Sequence, residues 1–208
     1  MKEQKREGRR EAVSEHKRGL ILKAARDVFE AEGLEGASLR AIAARAGYTP
    51  AALYFHFDSK EAIYAEVLLT SLTALGRFVN AAVTEAHEPG ARLRAAALAF
   101  FQFYADNPRD LDLGFYLFRG GMKPTGLGGE RDEELNAALE AALRPIANAA
   151  IELGASQRKA NLLMVDCFAH ATGLLLLLHT GRIRMFGALA PDQMEVYVTD
   201  QIARLGGK

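Results

Sequence analysis

The stretch that decides the fold is Ser38-Leu39-Arg40-Ala41-Ile42-Ala43-Ala44-Arg45-Ala46-Gly47-Tyr48-Thr49-Pro50-Ala51-Ala52-Leu53-Tyr54-Phe55-His56-Phe57. Ser38 stands where a helix N-cap belongs, because its hydroxyl can accept from a backbone N–H of the first turn that has no partner inside the helix. Leu39, Ile42, Ala43 and Ala46 then fall on one apolar face. Gly47 closes this short helix, and Thr49-Pro50 restarts the chain as an N-cap and a first helical residue, where proline sacrifices no hydrogen bond. The pattern predicts two short helices joined by a turn of about four residues, the plan of a helix-turn-helix. In that plan the first helix braces the second, whose N-terminal residues meet base edges in the major groove.

Working outward, the segment before this pair predicts a helix from about Glu15 to Glu32. Leu20, Ala24 and Val28 recur at intervals of four beside Ile21, Ala25 and Phe29, and Gly33 ends the run. Residues 1–14, in which Lys/Arg alternates with Glu, read as a charged, flexible arm. It is either solvated or enters a minor groove through Lys2, Lys5, Arg6, Arg9 and Arg10. After the pair, Asp58 and Glu61 have capping-box spacing and open a fourth helix to about Glu85. Further helices are predicted over 89–106, 108–119, 130–153, 156–180 and 191–205, with a glycine-rich loop over 120–129. No strand-type alternation of any length occurs. The expected fold is all-α: an N-terminal three-helix DNA-binding domain over 15–60, then a larger helical effector-binding and dimerisation domain over 61–208, with the fourth helix bridging the two.

The 208 residues carry 26 basic and 26 acidic side chains. Divided after Lys60, the first part has 12 Lys/Arg against 9 Asp/Glu, a net of +3, and the rest has 14 against 17, a net of −3. The sign suits an N-terminal module that meets phosphates. Cys167 is the single cysteine, so neither an intramolecular disulfide nor a cysteine-based zinc site is expected. That fits a reducing, cytoplasmic setting. The most apolar stretch, 162–179, is interrupted by Asp166 and His170 and reads as a buried helix, not a membrane span. The glycine-rich loop lacks the Gly-Lys-Ser/Thr ending of a P-loop. There is no Gly-x-Ser-x-Gly elbow and no His-x-x-x-His pair, so no enzyme, metal or cofactor chemistry is expected. A helical adaptor that binds only protein is a further reading, separated from a regulator by whether the chain binds duplex DNA.

Three runs carry a resemblance: Ile21-Leu22-x-Ala24-Ala25-x-x-x-Phe29-x-x-x-Gly33, then Ser38-Leu39-Arg40-x-Ile42-Ala43-x-x-Ala46-Gly47, then Ala52-Leu53-Tyr54-x-His56-Phe57-x-Ser59-Lys60-Glu61. Together they resemble the DNA-binding domain of the TetR family over about residues 16–66. The resemblance implies a dimeric regulator of transcription that binds double-stranded DNA, in most cases a repressor released from a palindromic operator by a small molecule. It implies that Ser38 and Tyr54 touch phosphates, that Arg40 lies near the backbone or groove edge, and that Thr49, Pro50 and Ala51 face the bases. It puts His56 near the groove, Lys60 on a phosphate, and Leu53 and Phe57 in the core. Tyr48 and Phe55 depart from the residue types common at their positions.

The second short helix offers no Arg, Lys, Asn or Gln between Thr49 and Phe57, so bidentate readout of guanine or adenine is closed to it. Pro50, Ala51 and Ala52 are expected to read thymine methyls, with Thr49 and Arg40 adding polar contacts. In the larger domain, Phe100, Phe103, Tyr104, Phe115, Phe118 and Met122 either line a pocket for an apolar effector, with Cys167 and His170 from the helix 156–180, or pack as ordinary core. Asp166 and His170, four apart, either pair with each other or offer a polar handle to a ligand. Helix 156–180 is apolar nearly all round and needs cover on both sides. Leu174, Leu178, Met194, Val198 and Ile202 are the candidate dimer interface, a four-helix bundle with the symmetry mate.

Overall fold

In the computed structural model the described residues are 2–115 and 126–206. Among them all regular structure is helical: α1 (Lys2–Gly36), α2 (Leu39–Ala46), α3 (Pro50–Tyr54), α4 (Lys60–Thr84), α5 (Pro89–Asp106), α6 (Pro108–Gly114), α7 (Gly129–Glu152), α8 (Gln157–His179) and α9 (Ala190–Gly206), with a 3-10 turn at Arg182–Phe186. The larger helical part follows the N-terminal helix-turn-helix, as the sequence predicts.

The chain divides into two compact units, Met1–Thr70 with Asp112–Glu133, and Ser71–Leu111 with Glu134–Lys208. The first is wider than the 15–60 read from the sequence. Its core explains why. Ile21, Ala25 and Phe29 of α1, Ile42 and Ala43 of α2, and Leu53 of α3 are buried with Ile63, Tyr64 and Val67 from the first turns of α4. Phe29 and Tyr64 meet edge to face with ring centroids 4.8 Å apart. The Tyr64 hydroxyl donates to the carbonyl of Leu113 at 2.8 Å, so the end of α6 belongs to this unit too. An aromatic pair and a buried hydroxyl bound across 49 residues bind segments that periodicity alone assigns elsewhere.

Two boundaries also differ. The 1–14 arm is drawn into α1, which begins at Lys2 and breaks only at Gly33, where φ is 70°. Lys, Glu, Gln, Arg and Ala are good helix formers, so backbone propensity favours the extension. The cap of α4 is Ser59, not Asp58: its Oγ accepts the amide of Ala62 at 3.1 Å.

In the second unit α5 is the central helix, with Leu93, Ala96, Ala97, Phe100, Phe101 and Tyr104 buried. It packs against both α8 and α9, which also pack on each other. α4 and α8 are long and apolar enough to cross a membrane by length and composition, a property they share with helices buried in helical domains.

Candidate nucleic-acid interface

Gly47 sets the geometry of the site. Its φ of 75° is left-handed, a conformation glycine adopts without the Cβ penalty, and its N–H returns to the carbonyls of Ala43 and Ala44. The amide of Tyr48 bonds the Ala43 carbonyl at 2.9 Å and completes the C-cap. The chain is thereby turned within three residues into the extended N-cap Thr49, whose Oγ1 accepts from the Ala52 amide at 3.3 Å. Ser38 caps α2 the same way, accepting from the Ala41 amide at 3.1 Å. Both hydroxyls accept from the helix and keep their own O–H to donate outward, which suits a phosphate oxygen.

Leu53 and Phe57 are buried, as expected, and hold α3 against the unit. The opposite face is open: Thr49, Pro50, Ala51, Tyr54 and Phe55 are exposed, as are Ser38 and Arg40 of the bracing helix. Ala52 and His56 are half-buried. Tyr54 is 60% exposed, which removes the core reading for it. The structure thus gathers Ser38, Arg40, Thr49, Pro50, Ala51 and Tyr54 as exposed groups of one helix-turn-helix, with His56 at its edge.

Lys60 departs from its expected role. Its ammonium donates to the carbonyls of Leu34, at 2.9 Å, and of Glu35 and Ala37, at 3.4 Å each. All three of its N–H donors are engaged. These carbonyls belong to the short turn that follows the break at Gly33, and the cation ties that turn to the start of α4. Replacement of Lys60 by Met is expected to lower stability by about 1–3 kcal/mol, because polar groups in a part-buried place lose their partner. It should leave the salt dependence of DNA binding unchanged. Arg40→Ala should instead flatten the dependence of log K on log salt by about 0.9, the contribution of one phosphate contact. Thermal melts and binding isotherms at several salt concentrations check both.

Sequence reasoning missed Arg18. Its guanidinium donates to the His56 carbonyl at 3.0 Å, forms a two-pronged ion pair with Glu66, and lies 4.4 Å from the centre of the Phe57 ring. One side chain therefore fixes the end of the recognition segment to α1 and α4. Its partners are 38 and 48 residues away, so no local pattern announces it.

The aromatic residues proposed from sequence for a pocket fill one another's space. Phe100, Phe103 and Tyr104 are buried, with ring centroids 5.3 Å apart for Phe100–Tyr104 and for Phe103–Tyr104, and Phe100 also meets Phe168 at 5.7 Å. Cys167 is buried, and desolvation pushes its thiol up to about 12, which keeps it protonated and unreactive. His170 stacks on Tyr197 at 3.9 Å, and Asp166 is exposed; the two do not pair. Burial holds the His170 imidazole below its ordinary value, offset in part by a bond to the backbone of Gln193. Phe115 is half-buried, while Phe118 and Met122 lie outside the described residues. A hollow of about 520 Å³ opens elsewhere in the same unit as α5, lined by Phe78, Ala82, Ala95, Leu98, Ala99, Phe101 and Pro191, with Gln102, Asp192 and Glu195 as its polar groups.

Of the five residues expected at a dimer interface, three are turned into the core. Leu174, Met194 and Val198 are buried within the unit, and Leu178 and Ile202 are half-buried. The apolar residues that α8 leaves outside are Leu162, Val165 and Leu176, each more than half exposed, in line with exposed Ala169 and Gly173. At 100° per residue these five fall within a stripe about 80° wide, opposite Leu163, Cys167, Ala171 and Leu174. The sequence pattern shows that both sides of α8 are apolar but not which side faces in. Among the described residues no group of three or more His, Cys, Asp or Glu gathers to hold a metal.

Residues 21–67 match the family profile described as bacterial regulatory proteins, tetR family. The chain is 40% identical over 89 residues to the transcriptional activator FasR of Mycolicibacterium smegmatis, covering 43% of this chain and 41% of FasR. It is 42% identical over 62 residues to the regulator UidR of Escherichia coli, covering 29% and 32%. The chain spans about half or less of the length of the curated relatives it matches. Among solved structures it resembles the TetR family regulator PfmR of Thermus thermophilus (TM-score 0.57, 24% identity, covering 88% of this chain and 97% of that one). It also resembles FadR of Bacillus subtilis in complex with stearoyl-CoA (TM-score 0.64, 16% identity, covering 88% and 96%). At these identities the solved structures speak to the fold.

Proposed function

Because this chain belongs to the TetR family through its N-terminal domain, we propose that it is a sequence-specific DNA-binding regulator of transcription, a homodimeric repressor released from a palindromic operator by a small, largely apolar ligand. The observation that carries the reading is the open face of α3, held outward by the Gly47 turn and by buried Leu53 and Phe57. Ser38, Arg40 and Tyr54 meet phosphates; Thr49, Pro50 and Ala51 meet bases, the last two through thymine methyls; His56 lies at the groove edge. The chain acts in the cytoplasm, as a regulator and not an enzyme. Titration of the purified protein with a random duplex pool tests the reading. Binding should weaken steeply and linearly in log K against log salt and should enrich an inverted repeat. Salt-insensitive or undetectable duplex binding would rule the regulator out.

Two recognition helices require two chains. The second copy covers the α8 stripe of Leu162, Val165, Ala169, Gly173 and Leu176, in place of the residues read from sequence.

The effector site is better matched by the hollow at Phe78 and Phe101 than by the packed Phe100–Phe103–Tyr104 cluster. Its walls are mostly apolar, its alanines leave room, and its polar groups are few. The fatty-acyl ligand of FadR is in keeping with an apolar occupant. Phe78 lies on α4, a single 25-residue helix that begins at Lys60, so an occupant bears on the helix that leads into the DNA-binding unit. Ala99→Trp, which fills the hollow, is expected to leave operator binding intact and abolish its release by stearoyl-CoA. Release that persists at wild-type ligand concentration would move the site elsewhere.

A further inference from the structure

Residues four apart on a helix stack along one ridge. On α3 and its C-cap, Pro50 and Tyr54 form one exposed ridge, and Ala51 and Phe55 form the next, with Leu53 buried away from both. Phe55 is 88% exposed, the most exposed large apolar side chain among the described residues. It has nothing in its own unit to pack against, and it extends the ridge that Ala51 begins.

We infer that Phe55 is a specificity-determining residue that reads the C5-methyl of a thymine in the major groove. The inference rests on the DNA-binding reading above. The thymine methyl is the apolar feature of a groove floor otherwise built of hydrogen-bond donors and acceptors. A phenyl ring against that methyl buries apolar surface on both sides. Against a guanine, cytosine or adenine edge it would strip water from polar groups and offer them nothing in return. Phe55 therefore both attracts the right base and penalises the others, the two halves of specificity. The missing Arg, Lys, Asn and Gln on α3 leave this apolar readout as the means of discrimination from the helix itself.

The test uses the full-length protein and the duplex it enriches from a random pool. Each thymine is replaced in turn by deoxyuridine, which removes the methyl and keeps the pairing, and affinity is read by fluorescence anisotropy for wild type, Phe55→Ala and Phe55→Leu. One methyl's burial corresponds to about fourfold in affinity. Wild type should lose about that factor at the thymine Phe55 covers in each half-site, apart from any that Pro50 and Ala51 read. Phe55→Ala should bind the thymine and deoxyuridine duplexes equally at that position, with the salt slope unchanged; Phe55→Leu, still apolar, should keep most of the sensitivity. If Phe55→Ala retains the wild-type deoxyuridine response at every position, the assignment of Phe55 is wrong while the regulator reading stands. If the wild-type chain shows no salt-dependent duplex binding, the regulator reading falls, and the inference with it.

Discussion

Val165→Asp combined with Leu176→Asp is expected to yield a folded monomer with its operator affinity reduced by two to four orders of magnitude. Both side chains are more than half exposed on the outward stripe of α8, so the carboxylates remain in water within the isolated chain and stability changes little. In the proposed dimer they would be buried against the apolar stripe of the second copy. Unpaired buried charges are costly enough to dissociate such an interface. The loss at the operator follows from tethering. Two linked recognition helices bind a palindrome with an effective concentration that a monomer lacks, an advantage of about 10²–10⁴. Analytical ultracentrifugation with anisotropy on full and half operators checks both steps. A double variant that sediments as a dimer would show that the copies meet through another face. Leu174→Asp is the contrasting control: it lies on the core side, and its expected outcome is unfolding.

Phe29→Ala should cost about 3–5 kcal/mol, the range for truncating a fully buried aromatic ring. The side chain is inaccessible and lies edge to face against Tyr64, itself buried, so the cavity opens between α1 and the first turns of α4. Much of the loss should fall on the DNA-binding unit, with operator binding lost near physiological temperature. Chemical denaturation followed by circular dichroism measures it. A change below about 1 kcal/mol would mean that the α1–α4 packing described here is not the one that holds the unit together.

The helix-turn-helix was legible because its determinants are local. A cap residue precedes each helix, Gly47 stands at the one left-handed position, and proline occupies a first helical turn. What was not legible depends on partners far along the chain. Lys60 reads as a surface cation until the carbonyls of Leu34, Glu35 and Ala37 are seen around it. Arg18 has no signature at all. On α8 the sequence shows apolar residues in every direction, and three-dimensional packing alone tells Leu174 from Leu176. The aromatic run of α5 is compatible with a lined cavity or a filled one; ring-to-ring distances of 5.3 Å show that it is filled. Phe55 was visible as an unusual residue, but its exposure was not.

The three carbonyls around the Lys60 ammonium also govern its reactivity. An amine must reach an acylating reagent to attack it, and this one is partly enclosed, its nitrogen turned onto those carbonyls. In the folded protein Lys60 should therefore be acylated far more slowly than an open lysine, and it should react at an ordinary rate once α1 releases it. Peptide mapping after brief acetylation would then report, at a single position, how often the end of α1 opens.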